Sequence, residues 1–346
     1  MPKPRQIILD CDPGHDDAVA MMLALGNPTI ELLGITTVGG NQTLEKVTRN
    51  AQSVLVMCGR DDVPVHPGSG RPLVRRIEVA EDIHGESGLD GVDLPTPTRP
   101  AEDSHAVAFI IDTVMTAPTG TITLVATGPL TNLALAARLE PRIVERVREV
   151  VVMGGGYHVG NWTPVAEFNI WVDPEAAAIV FDETWPLTMV GLDVTHQALA
   201  TADVEEQVRA TDSPLGEFFI GLMAFFRTTY REHQGFTDPP VHDACTIAYL
   251  IDPAIVQTRK VPLTVELRGE HTVGMTVADF RSPAAADCRH QVATHLDHAG
   301  FWGMVVEAIT TLSAETTHGK EPESTTYARE PKSHIETISA ARLKGD

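Results

Sequence analysis

The sequence predicts an α/β protein built on an open, mostly parallel sheet flanked by helices, in a single large domain. Three observations lead there. The first half of the chain alternates short apolar or β-branched runs with helix-patterned segments, the signature of βαβ units covered on both faces. Polar and glycine-rich clusters fall at the carboxyl ends of those runs, where ligands bind in such sheets. The 346 residues, 43% hydrophobic and 21% charged, supply enough apolar material for one sizeable core.

Taken in order, Gln6 to Cys11 (QIILDC) is a short apolar run and reads as a buried strand. Asp16 to Gly26 carries Ala18, Met21, Met22 and Leu25 at the i, i+3, i+4, i+7 spacing of one helix face. Glu31 to Val38 is β-branched and predicts the next strand, and Leu44 to Cys58 the next helix. Strands are expected at Thr121 to Ala126, Glu149 to Met153 and Leu187 to Gly191, with helices at Pro129 to Leu139 and Pro174 to Phe181. Residues 201–234 and His242 to Ile251 read as helical, residues 261–295 as more strand-like, and 296–313 as a closing helix. From about Ala314 the composition turns to Thr, Glu, Lys, Pro and Ser. The chain therefore divides into a folded domain over 1–313 and a poorly ordered tail over 314–346.

Charge and cysteine content exclude several function classes. With 26 basic and 47 acidic residues the net charge is −21, which repels nucleic acid polymers and anionic membrane surfaces. Cys11, Cys58, Cys245 and Cys288 form no CxxC pair, and their spacing suits neither a zinc site nor a disulfide framework. No apolar run approaches membrane-spanning length and no signal-peptide pattern opens the sequence, so a reducing, cytoplasmic location is expected.

The chemistry concentrates in Asp10-Cys-Asp12-Pro-Gly-His-Asp16-Asp17. Four carboxylates lie within eight residues at a strand-to-helix turn, with no Lys or Arg from Ile8 to Gly26 to offset them. Like charges this close raise one another's pKa, and a helix N-terminus offsets only about 0.3–1 kcal/mol per charge. A hard divalent cation such as calcium, which takes several oxygen ligands, resolves the repulsion. Helix capping accounts for Asp16 or Asp17 but not for Asp10 and Asp12. An EF-hand loop is excluded, because its twelfth position would be Met21 or Leu23 where Glu is required. A phosphatase opening with Asp-x-Asp is disfavoured by the residues that follow Asp12 and by an acidic pocket with no evident phosphate-binding cation.

The segment ILDCDPGHDDAVA (Ile8 to Ala20) closely resembles the signature of the inosine–uridine-preferring nucleoside hydrolase family. ITTVGGNQT (from Ile35), HGESG (from His84), TGPLTN (from Thr127), EVVVMGGG (from Glu149), AEFNIWVDPEAA (from Ala166) and VHDAC (from Val241) look like further family blocks in the expected order. The resemblance covers roughly residues 5–313. It implies a hydrolase that cleaves the N-glycosidic bond of ribonucleosides with broad base tolerance, one deep pocket and one calcium ion. Asp12, Asp17 and Asp243 would be its carboxylate ligands and Thr127 a ligand through its carbonyl. Asp12 would also deprotonate the attacking water. Asp16, Asn169 and Asp243 would bind the ribose 2′- and 3′-hydroxyls, and Asn161 and Glu167 the 5′-hydroxyl. Asn41 and Met153 would line the sugar site, His84 and Tyr230 would reach the base, and His242 would protonate it on leaving. The resemblance also implies a homotetramer or homodimer and a place in nucleoside catabolism or purine salvage.

These residue types suit the reaction. The transition state resembles a ribosyl oxocarbenium ion, which an acidic pocket stabilises. A carboxylate base is worth ~10²–10⁴-fold in rate. His242 is attractive as the acid because an unperturbed imidazole titrates near pH 6.5. Two alternatives remain: a purine- or pyrimidine-specific hydrolase of the same fold, and a calcium-dependent ribose-binding protein without turnover. The chain departs from the family pattern at Ala244, where Pro is common, and at His15, where an apolar residue or Thr is usual. Trp162 and Trp171 read either as pocket walls or as packing, and residues 232–241 as a mobile flap over the base.

Overall fold

A computed structural model describes residues 3–318. Its main sheet has eight strands. In chain order the strands of the protein are β1 (Arg5–Cys11), β2 (Ile30–Thr37), β3 (Val65–Pro67), β4 (Ile122–Ala126), β5 (Glu149–Met153), β6 (Leu187–Val190), β7 (Val256–Lys260), β8 (Leu263–Val265), β9 (Thr276–Ala278) and β10 (His290–Leu296). The sheet runs β3-β2-β1-β4-β5-β6-β10-β7, parallel except where β7 closes the edge antiparallel to β10. β8 and β9 form a separate antiparallel pair.

Period-2 alternation sends neighbouring side chains to opposite faces. Ile7, Leu9 and Cys11 enter one core, with the helices His15–Gly26, Pro214–Gln234, Ala244–Ile251 and His298–His318. Ile8, Leu124, Val150 and Val152 enter the other, with Ala106–Thr116, Thr131–Leu139 and Pro174–Asp182. Burial on both faces is why these strands read as unbroken apolar runs. From β1 the chain winds outward through β2 and β3 on one side and through β4, β5 and β6 on the other. The switch point thus lies between the carboxyl ends of β1 and β4, the place where such sheets hold ligands.

Expected and observed elements agree closely in the first half. Later, residues 201–234 split into Ala202–Arg209 and Pro214–Gln234, separated by a turn in which Asp212 takes a positive φ of 47°. The short strands β8 and β9 and most of the seven-residue β10 occupy the 261–295 stretch, while β7 lies ahead of it and the helix Ala106–Thr116 had no expected counterpart. The closing helix runs from His298 to His318. The expected domain boundary after residue 313 therefore falls inside a helix, because apolar residues up to Leu312 keep it packed on the core. Residues 319–346 of the expected tail lie outside the described residues. Among the described residues no helix is long and apolar enough to cross a membrane. All four cysteines are free, with Cys11, Cys58 and Cys245 buried.

Candidate active site

The turn after β1 builds the site. Helix His15–Gly26 starts directly behind Pro13-Gly14, and eleven of its twelve residues are buried. Asp17 reaches back to accept the Gly14 N–H at 3.0 Å and the Thr127 hydroxyl at 2.8 Å. It thus caps the helix and ties the end of β1 to the end of β4. Asp12 is fully buried; its Oδ2 accepts the Asn41 N–H at 2.6 Å, and its Oδ1 has no partner. A side chain at Gly128 would put a Cβ 2.6 Å from that bare Oδ1, so the loop after β4 needs glycine to come this close. Asn41, from the loop after β2, also donates through Nδ2 to the Asp12 carbonyl at 3.1 Å and to Asp17 at 3.3 Å.

Opposite this turn lies the loop after β5. Glu167 N-caps the short helix Phe168–Val172, accepting from the Asn169 and Ile170 N–H groups at 2.9 and 3.2 Å, and it also holds the Gly155 N–H at 2.9 Å. Asn169 then donates through Nδ2 to the carbonyls of Thr127 at 2.9 Å and Met153 at 3.2 Å. Asn161 accepts the Phe168 N–H at 2.9 Å. Asp243 arrives from the start of helix Ala244–Ile251.

These elements border a cleft lined by Asp16, Asn41, His84, Thr127, Met153, Asn161, Glu167, Asn169, Tyr230, His242 and Asp243. All of these were singled out from the sequence. Asp12 and Asp17 are buried beneath the cleft rather than forming its wall. The tightest carboxylate group is Asp16, Asp17 and Asp243, whose nearest oxygens lie within 4.8 Å of one another. Asp12 lies outside that group; the Asn41 N–H holds its Oδ2 and leaves its Oδ1 without a partner.

Burial sets the electrostatics. It pushes the Asp16 carboxyl up to about 7, with the Asp17 charge adding to it, and Asp17 up to about 6. Burial and then the Asp17 charge raise Asp12 well above the carboxylate range, and burial and then the Asp16 charge do the same to Asp243. Burial alone lifts Glu167 to about 7. Four acids in one buried group share fewer than four negative charges at neutral pH. A divalent cation reverses that balance, and the donor set fits one: hard oxygen ligands, a backbone carbonyl at Thr127 and a bare buried oxygen on Asp12.

The other end of the cleft is neutral and aromatic. His242 shares one hydrogen bond with the Thr195 hydroxyl through Nδ1 and another with the Tyr230 hydroxyl through Nε2, each 2.7 Å long. Burial, with His196 nearby, holds its pKa well below the ordinary imidazole value. An unperturbed titration near neutral pH is therefore no longer the reason to single out His242. Thr195 was not foreseen, since nothing in its local sequence marks it. Trp162 is a wall of the cleft and Trp171 stands behind it; both indoles donate to Glu78 Oε2, at 3.2 and 3.3 Å. The segment expected as a flap begins inside helix Pro214–Gln234, whose Gln234 borders the cleft.

The chain matches the family model described as inosine-uridine preferring nucleoside hydrolase over residues 7–303. It is 55% identical to the inosine-uridine preferring nucleoside hydrolase of Crithidia fasciculata over 307 residues, 88% of this chain and 98% of that one. It is 47% identical to the pyrimidine-specific ribonucleoside hydrolase RihB of Escherichia coli over 305 residues, covering 88% and 97%. The solved purine-preferring ribonucleoside hydrolase from Gardnerella vaginalis superposes with a TM-score of 0.84 at 34% identity, covering 89% and 99%.

Proposed function

Because the chain belongs to the inosine-uridine preferring nucleoside hydrolase family and is a ribonucleoside hydrolase, we propose that it works with one calcium ion and accepts both purine and pyrimidine nucleosides. The observation that carries the calcium reading is the buried acid group at the ends of β1 and β4, with Asp12 Oδ1 left without a partner. Asp12, Asp17, Asp243 and the Thr127 carbonyl would hold the ion, with Asp16 beside them. When bound, calcium orients a water molecule and makes its proton easier to remove.

The residues of the chain do the rest. Asp12 takes a proton from water as its oxygen bonds to the anomeric carbon and the C1′–N bond breaks. Asp16, Asn169 and Asp243 grip the 2′- and 3′-hydroxyls, and Asn161 and Glu167 the 5′-hydroxyl, so binding energy away from the bond serves the reaction. Positive charge that builds on the ring meets an acidic floor. The departing base collects its proton at the Tyr230–His242 end.

The relatives' names span inosine-uridine, pyrimidine-specific and purine-preferring enzymes, so the base preference rests on His84, Tyr230 and Gln234 around the base end. A homodimer or homotetramer acting in cytoplasmic nucleoside catabolism completes the reading, and light scattering tests the assembly. The deciding experiment is ribose release from inosine, uridine, adenosine and cytidine, with and without a calcium chelator. Release that stops on chelation and returns with calcium is the expected result. Release indifferent to chelation would remove calcium, and release from one base class alone would remove the broad specificity.

A further inference from the structure

The separate strand pair β8 and β9 takes no part in the mechanism above, yet it is built against the site. Leu263 of β8 is buried in the same core as helix Pro174–Asp182. The turn between the strands meets the segment that carries Glu167: a Cβ on Gly274, which takes a positive φ of 81°, would lie 3.2 Å from Ala166 Cβ and 3.4 Å from Trp171 Cα. Thr276 opens β9 and is the buried residue of that strand. Its hydroxyl accepts the Gly156 N–H at 2.9 Å and donates to the Gly156 carbonyl at 2.9 Å. A hydroxyl has one proton to give, so its donor role and an acceptor role both close on a single residue of the loop after β5.

That loop begins Gly154-Gly155-Gly156 and has no side chains with which to hold a shape. Gly155 takes a positive φ of 75°, and a Cβ there would lie 2.6 Å from Thr276. Hydrogen bonds therefore set the shape: the Leu192 N–H reaches the Gly155 carbonyl at 2.8 Å, and Thr276 clasps Gly156. The result aims the Gly155 N–H at Glu167 Oε2, 2.9 Å away. The same oxygen accepts the Ile170 N–H at 3.2 Å, and Oε1 accepts the Asn169 N–H at 2.9 Å. Glu167, which lines the cleft, is thus held from two sides: by the helix it caps and by the glycine loop. Thr276 fixes the second of these anchors without lining the cleft itself.

We propose that Thr276 is a positioning residue for the 5′ end of the ribose subsite: by clasping Gly156 it fixes the glycine loop, whose Gly155 N–H aims the Glu167 carboxyl at the substrate. This rests on the reading that Glu167 holds the 5′-hydroxyl. It gives the β8–β9 pair, outside the main sheet, a share in recognising the sugar. The effect falls on a part of the substrate that purine and pyrimidine nucleosides have in common. It disappears when the 5′-hydroxyl is missing, so a 5′-deoxynucleoside separates this contact from the rest of the site.

The test is Thr276→Val, which keeps the shape of the side chain and removes both hydrogen bonds, with Thr276→Ala as a second variant should valine not fold. Base release is followed on inosine, uridine and their 5′-deoxy analogues, well below the melting temperature. The expected result is a roughly three- to tenfold loss of kcat/KM on inosine and uridine alike, the range of one net hydrogen bond, and at most about a twofold loss on the 5′-deoxy analogues. The preference for a 5′-hydroxyl therefore shrinks. Thr276→Ser, which keeps the hydroxyl, should restore the wild-type preference. Equal losses with and without the 5′-hydroxyl, a preference unchanged in the valine and alanine variants, or a serine variant as impaired as valine would each overturn the proposal. Wild-type protein that hydrolyses the 5′-deoxy analogues as fast as the parent nucleosides would instead overturn the role given to Glu167, on which the proposal rests.

Discussion

Asp12→Asn separates chemistry from architecture at the centre of this site. Asparagine keeps the shape of the side chain, and its carbonyl can still accept the Asn41 N–H that Asp12 Oδ2 holds at 2.6 Å. The new NH₂ group falls where Oδ1 stood without a partner, with Asp17 as the nearest strong charge. What disappears is the capacity to take a proton from water. A general base is worth ~10²–10⁴-fold, or about 3–5 kcal/mol of barrier.

The stability effect has the opposite sign. Asp12 is buried and its carboxyl is held well above its ordinary range, so its ionised form destabilises the calcium-free fold. Replacing it with a neutral donor should leave the calcium-free melting temperature unchanged or raise it by roughly 1–3 °C, the scale of about 1 kcal/mol in a domain of this size. The assay is kcat on inosine at calcium titrated to a plateau, which keeps weakened ion affinity out of the rate. Thermal melts in chelator run beside it. A plateau kcat within tenfold of wild type would remove Asp12 as the base. A large activity loss that tracks a collapse in melting temperature would refute the separation itself.

Three further outcomes follow from the same geometry. His242→Ala should lower kcat on inosine at least tenfold more than on nitrophenyl riboside, whose leaving group departs without a proton; equal losses would take His242 out of leaving-group activation. Calcium-free protein should lose stability between pH 6.5 and 8, by up to about 1 kcal/mol for each of Asp10, Asp16 and Glu167, all raised to about 7. The sign follows from the raised folded values: these acids hold protons in the folded state that the unfolded chain has already released, and that advantage disappears as pH passes 7. Melts that are flat or rise with pH across this window in chelator would contradict it. Gly128→Ala should abolish most activity, since its Cβ would crowd Asp12 Oδ1 at 2.6 Å; full activity would mean that the loop after β4 is free to move.

The parts of the fold legible in the sequence were those whose signal is local. Strands β1, β4 and β5 are buried on both faces and therefore read as apolar runs, and the helix after β1 shows a clean apolar spacing. β7 was not legible, because as an edge strand it mixes Gln257, Arg259 and Lys260 with only one fully buried side chain, Val256. The helix Ala106–Thr116 escaped notice, although Glu102 and Asp103 precede it and Pro118 and Gly120 follow it, because it is apolar around much of its surface rather than along one face. Within the site, the carboxylates announced themselves by crowding at one turn. Thr195 did not, since its role exists only because a chain segment 47 residues later brings His242 to its hydroxyl. His15 stood out as a departure from the family pattern, but its partner His84 is 69 residues away, and only the fold brings the two rings together.

The two ends of the cleft divide the chemistry by charge. The sugar end rests on acids whose burial raises their pKa, so that they take a cation, or developing positive charge on a ribose ring, more readily than they stay ionised alone. The base end is held by neutral groups: His242 between two hydroxyls, and His84 against His15. Cationic imidazoles there would sit within reach of the acids and compensate them, weakening both the site for a divalent ion and the field that favours an oxocarbenium-like ring. Keeping those histidines neutral by burial preserves the acidic floor for the sugar and leaves the base to be recognised by directional hydrogen bonds. On the proposed reading, the same burial would have His242 act through Tyr230 and Thr195 rather than as a free imidazolium, because a ring that stays uncharged can move a proton only along a hydrogen bond already in place.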